Sequence, residues 1–194
     1  MTCFFEIEVH PTPLTSFATL PLQGRVKSAP LETRSCAQYN GSHNKQTKGR
    51  TVRDSVMTIE DMGVLLAKEF PQAFYPGCGL TIERANYGNV RIRKTFHEDH
   101  LRPGGTISGP TMMELADFAM YVAVFSAAGP QPLAVTTNLN INFLRKPAAT
   151  DLIAEARLMK VGKRLAVGEV NLYSDGEEEP VAHVTSTYSL PVQK

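Results

Sequence analysis

Tryptophan is absent, and only three cysteines, Cys3, Cys36 and Cys78, occur in 194 residues. Their odd number, wide spacing and lack of any C-x-x-C pair give neither a disulfide framework nor a zinc knuckle, and suit a reducing cytoplasm. An excess of charge of one sign is missing as well. Twenty Lys and Arg against nineteen Asp and Glu leave a net charge of +1, which gives no support to a nucleic-acid-binding or polybasic membrane surface. No long apolar run is free of acid: the longest contains Glu114 and Asp117, so the sequence alone predicts no membrane span. The length suffices for one domain with a sizeable core, or one domain plus a tail.

Apolar periodicity is also missing from most of the first 56 residues. Beyond Cys3–Val9 this stretch is rich in Ser, Thr, Pro and Asn, and it carries seven Lys and Arg against four Asp and Glu. Such a segment cannot build a core, and no signal-type or amphipathic segment makes it a targeting peptide. Residues 1–56 are therefore expected to be a disordered extension, with the folded domain over 57–194 and Met57 serving well as a start. From there Thr58 caps a short amphipathic helix with Ile59, Met62, Leu65 and Leu66 on one side, ended by Phe70-Pro71.

What the chain does have is one stretch around which the rest is organised. Ser108 or Gly109 can cap a helix, Pro110 sits in the first turn where a missing N–H costs nothing, and Gly129-Pro130 stops the run. A helix from near Gly109 to near Ala128 would be about 30 Å long. Its apolar residues lie on every face, so other structure must wrap it. Glu114 and Asp117 interrupt that surface, with Tyr121 one turn further on. Glu114 suits the positive end of the dipole as part of a solvated stripe. Asp117 lies more than a turn inside the helix between Ala116 and Phe118, where an unpaired carboxylate is expensive unless it faces a cleft.

Around this helix the period is 2. Gly79–Asn86 and Val90–Phe96 read as a hairpin with Val90, Ile92 and Phe96 inward. After the helix, Val135–Phe143 alternates apolar residues with Thr and Asn. Leu152–Met159, Leu165–Tyr173 and Val181–Leu190 follow, separated by turn residues. The pattern predicts an α+β fold, a long buried helix wrapped by a curved antiparallel sheet.

From about Leu80 to Leu190 the chain resembles hotdog-fold acyl-CoA thioesterases of the phenylacetyl-CoA (PaaI-like) group. The family's His-Gly-Gly and Leu-Ala-Asp fall on Ser108-Gly109-Pro110 and Leu115-Ala116-Asp117. Its Ile-x-Phe-Leu-Arg strand end matches Ile141-Asn142-Phe143-Leu144-Arg145, and its Gly-Lys turn matches Gly162-Lys163-Arg164. The resemblance implies a homodimer or a dimer of dimers with each active site between two subunits. It also implies hydrolysis of an acyl-CoA, with coenzyme A entering only as part of the substrate and no other cofactor.

Asp117 takes the place of the family's catalytic carboxylate, as general base toward water or as a nucleophile forming an anhydride. Ser108 replaces the usual His, and Pro110 replaces a Gly whose N–H commonly polarises the thioester carbonyl. The amide of Gly109 or Thr111 must then supply the oxyanion donor. Thr136 and Thr137 fall where the family often places a hydroxyl that orients water, and Arg102 falls near its loop Asn. With Ser108 and Glu114 these complete the expected substrate contacts, while Arg145, Lys146, Lys163 and Arg164 are candidates for the phosphates of coenzyme A. His97-Glu98-Asp99-His100 has a metal-like spacing but no third ligand nearby, and no metal is expected. The alternatives are an enoyl-thioester hydratase or dehydratase of the same fold, which normally wants the His that Ser108 displaces, and a non-catalytic acyl-CoA binding module.

Overall fold

Helix α1 (Ile59–Glu69) opens at Thr58, whose side chain accepts the Asp61 N–H, and carries Glu60 and Asp61 in its first turn at the positive end of the dipole. Met62 and Leu66 are buried, with Ile59 and Leu65 packed beside them, which is the face the periodicity predicted. The computed structural model, which describes residues 53–191, continues with β1 (Leu80–Asn86), β2 (Asn89–Lys94), β3 (Leu101–Arg102) and β4 (Thr106–Ile107). Helix α2 (Gly109–Ala128) follows, then β5 (Val135–Phe143), β6 (Leu152–Val161), β7 (Leu165–Ser174) and β8 (Ala182–Ser189). The β3–β4 hairpin has strands of two residues, too short to carry a readable period, and was not expected from the sequence.

The other six strands form one sheet in the order β1-β2-β6-β7-β8-β5, every neighbouring pair antiparallel. Helix α2 lies against all six. Ser108 caps it by accepting the Thr111 N–H, and Gly129, at φ 75°, closes it with an N–H to the Phe125 carbonyl. This helix is long and apolar enough to cross a membrane by length and composition, which corrects the sequence-based exclusion resting on its two acids. In the fold it is the core: 78% of its most apolar window is buried.

Close approach between helix and sheet fixes one glycine. A Cβ on Gly168 of β7 would lie 2.8 Å from both Met120 Sδ and the Arg157 carbonyl oxygen. Gly168→Ala is expected to destabilise the protein by about 1–3 kcal/mol through overpacking. Thermal melting checks this, and an unchanged melting temperature would mean that Met120 and the sheet give way freely.

Alternation in β2 turns Val90, Ile92 and Lys94 inward, while Arg91 and Arg93 face out and pair with Glu83, Glu155 and Asp151. Phe96, expected inward, lies beyond the strand end and packs partly buried against the core; the last inward position of β2 itself is Lys94, an unusual place for a lysine.

Ser126, fully buried, ties three segments together. Its hydroxyl donates to the Ala123 carbonyl at 2.7 Å and accepts the Gly88 N–H at 2.9 Å, and its carbonyl accepts the Val56 N–H at 2.8 Å. Asp54 bridges to Asn86, and the Arg53 carbonyl accepts the Tyr87 N–H at 3.0 Å. Arg53–Val56 are thus bonded into the folded domain, ahead of the boundary expected at Met57. The remainder of the expected extension, 1–52, lies outside the described residues, and Cys3 and Cys36 with it.

Candidate active site

Asp117 is half-buried on α2 and lines a cleft of about 350 Å³ between the end of α1, α2, and the facing ends of β5 and β8. Phe70, Phe118, Tyr121 and Val135 give the cleft an apolar wall, and Glu69 and Glu114 stand at it with Asp117. The β5–β8 ladder sets Thr136 opposite Tyr188, and the hydroxyls of this pair both reach Asp117. Thr136 Oγ1 donates to Asp117 Oδ1 at 2.6 Å, and the Tyr188 hydroxyl reaches the same oxygen at 2.7 Å and the Asp117 carbonyl at 2.9 Å. Tyr188 is 2% exposed; burial, and then the negative charge of Asp117, push its phenol well above the usual range. It therefore stays protonated and remains a donor.

Sequence reasoning missed Tyr188. Its signal was the alternation of β8, which turns Ala182, Val184, Ser186 and Tyr188 inward. Nothing in that pattern says that the last of them meets an acid on a helix 71 residues away in the chain.

The other acids and hydroxyls are placed differently. Glu114 has a side chain 57% exposed and accepts from Lys94 Nζ at 3.2 Å, where Lys94 is only 7% exposed. The expected solvated stripe is therefore split: Glu114 is at the rim, and Tyr121 is buried with its hydroxyl donating to the Pro132 carbonyl at 2.9 Å. Thr137 occupies the register shift between Thr136 and Asn138, and its hydroxyl is spent on the Thr187 carbonyl at 3.0 Å. His97 and His100 use Nδ1 to accept backbone amides within one 3-10 turn, which accounts for their spacing.

A second cavity, of about 460 Å³, lies at the N-terminus of α2 and brings together Arg102, Gly109, Phe143, Arg145 and Lys146. Here Ser108 Oγ accepts the Thr111 N–H at 3.4 Å and is 2.9 Å from Thr111 Oγ1, so both Ser108 and Thr111 are engaged in the cap. The Met112 N–H goes to the Ser108 carbonyl. Among the described residues the Gly109 N–H has no acceptor, which moves Gly109 ahead of Thr111 as the donor a developing oxyanion would meet. Arg145 is paired with Glu179 at 2.7 Å. Lys163 and Arg164 stand apart from this group, in a cavity beside Ala128 and Gln131 at the other end of α2.

Gly109 and Asp117 are eight residues apart on one helix, about 12 Å along its axis. Within one chain the two line different cavities.

A buried helix crossing an antiparallel sheet, with a half-buried helix carboxylate opening on a largely apolar cleft, defines the hotdog class of fold and a site suited to acyl chemistry. The comparisons agree. The family model described as Thioesterase superfamily matches residues 104–181. A Halobacterium salinarum protein named an esterase by inference is 35% identical over 51% of this chain and 68% of its own length. A thioesterase, also so named by inference, from Silicibacter sp. TM1040 superposes with a TM-score of 0.63 at 40% identity, covering 73% of this chain and 96% of that one. A mutant of the phenylacetic acid degradation protein PaaI from Thermus thermophilus does so at 0.54 and 26% identity, over 62% of this chain and 99% of that one. The chain belongs to the thioesterase superfamily and is a hydrolase. The non-catalytic binding module gives way to that finding.

Proposed function

We propose that the protein hydrolyses the thioester of a neutral acyl-CoA, with Asp117 as general base and the Gly109 N–H of a second copy as oxyanion donor. The observation that carries this reading is the half-buried carboxylate opening onto an apolar, aromatic cleft. In the proposed step an Asp117 oxygen takes a proton from water as the water oxygen adds to the thioester carbonyl, and the carbonyl electrons move onto oxygen. Collapse of this intermediate breaks the C–S bond, and the thiolate of coenzyme A leaves and takes up a proton. The apolar wall suits an uncharged acyl chain, whereas Glu69, Glu114 and Asp117, with no Lys, Arg or His among the lining residues, disfavour one that ends in a carboxylate. Ser108, standing where the resemblance would put a histidine, also speaks against hydratase chemistry, which would pair one with the acid.

The test is hydrolysis of a panel of coenzyme A thioesters carrying straight-chain, aryl and dicarboxylic acyl groups. Turnover of neutral members and poor turnover of dicarboxylic ones is the expected result; no turnover of any member sinks the reading. Single turnover in ¹⁸O-water tests the nucleophile alternative: label in the Asp117 carboxylate requires an anhydride opened by water at the Asp117 carbonyl.

The same geometry supports assembly from like copies. Strand β5 is the last in the sheet, none of its residues is buried, and Val135 and Phe143 are more than half exposed. An edge strand with unpaired backbone groups and bare apolar side chains suits pairing with a second copy of itself, in a homodimer or a dimer of dimers. Lys163 and Arg164 are proposed to meet the phosphates of coenzyme A. Changing both to Ala is expected to raise KM for acyl-CoA several-fold with kcat nearly unchanged, and the defect should shrink for a substrate lacking the nucleotide. Equal KM values would leave the phosphates to Arg102 and Lys146.

A further inference from the structure

We propose that Thr136 and Tyr188 are positioning residues that hold Asp117 by one oxygen, Oδ1, and so assign the reactive role to the other, Oδ2. The inference rests on the base role of Asp117 and adds to it which atom reacts and what orients that atom.

A carboxylate on a helix turns about its Cβ–Cγ bond, and its two oxygens are equivalent until something distinguishes them. Here both side-chain donors fall on Oδ1, at 2.6 Å from Thr136 and 2.7 Å from Tyr188, which occupies the two lone pairs of that oxygen. No side-chain donor among the described residues is bonded to Oδ2. The donors come from two neighbouring strands and the acid from the helix, so the clamp joins separate elements of the fold rather than a local turn. Tyr188 cannot readily yield. It is 2% exposed, its ring stacks on Tyr121 at 6.3 Å, and its hydroxyl is braced by the Asp117 carbonyl as well. Hydrogen bonds to an ionised acceptor are the strong ones, and two of them hold a plane as well as a position. Thr136 has its proton committed to Asp117, so it can orient a water, as expected of it, only as an acceptor.

The experiment measures steady-state kinetics and melting for the full chain and for Thr136→Val, Thr136→Ser and Tyr188→Phe, beside Asp117→Asn. Thr136→Val and Tyr188→Phe are each expected to lower kcat about tenfold or more with KM within about twofold, because the base is misaimed and not removed. Thr136→Ser keeps the hydroxyl and should stay near the parent. Equal losses in Thr136→Val and Thr136→Ser, or a Tyr188→Phe variant that changes melting while kcat holds, would overturn the clamp while leaving the base role of Asp117 intact. Full turnover in Asp117→Asn would instead strike the base role. In that event crystal structures of the Thr136→Val and Tyr188→Phe variants decide the clamp by themselves: a rotated or doubled Asp117 carboxylate supports it, and an unmoved one overturns it.

Discussion

Asp117→Asn should lower kcat on the order of a hundredfold or more, because it removes the basic oxygen while keeping the shape of the side chain. The amide oxygen can still accept from Thr136 and Tyr188, so both hydroxyls keep a partner and the melting temperature should move by only a few degrees. Glu114→Gln is the matched control. Glu114 is more than half exposed and is tied to Lys94, so its loss should weaken that pair and leave kcat nearly at the parent value. The pair of measurements separates the two acids. The reverse ranking would move the base to Glu114, and parental turnover in both would end carboxylate catalysis for this cleft.

The second large effect concerns assembly. Asn138→Lys with Asn140→Lys places two cations at exposed positions of β5, in the way that natural edge strands avoid pairing with one another. Two copies meeting along this strand would bring like charges face to face. The variant should run as a monomer in light scattering and lose on the order of a hundredfold or more in kcat/KM, because the oxyanion donor and the base of each site would then sit on separated molecules. Its circular dichroism should remain that of the parent, since neither asparagine is buried. A dimer that persists, or a monomer with full activity, would show that the site is complete within one chain.

How far the sequence led can be seen at particular residues. Helix α2 was legible to the residue at both ends, because Ser108, Pro110 and Gly129 are punctuation whose physics is local. The six sheet strands were legible within about two residues at each end, since alternation is local too. Asp117 stood out because an acid in an apolar helix is costly anywhere. Tyr188 and Lys94 did not, since their importance lies in meeting groups on other elements, and sequence spacing carries no record of that register. The contacts of Arg53–Val56 were hidden for a related reason: backbone hydrogen bonds to Ser126, Asn86 and Tyr87, with Arg53 over the Tyr87 ring and the Ser55 hydroxyl on Ser126, join segments far apart in the chain. The apolar row of β5 was legible as alternation, and of that row Leu139 and Ile141 pack against the core while Val135 and Phe143 stay exposed.

The all-round apolar surface of α2 has a consequence for how the chain is made. Strands β6, β7 and β8, which cover much of that surface, are translated after it. While the ribosome is still adding Leu152–Ser189, the helix segment has only the α1 end, β1, β2 and β5 to cover it and is a target for chaperones or for other nascent chains. Loss of the C-terminal strands, by early termination or proteolysis, should therefore be far more damaging in the cell than loss of an equal length before Arg53, because it would leave this one segment sticky and permanently uncovered.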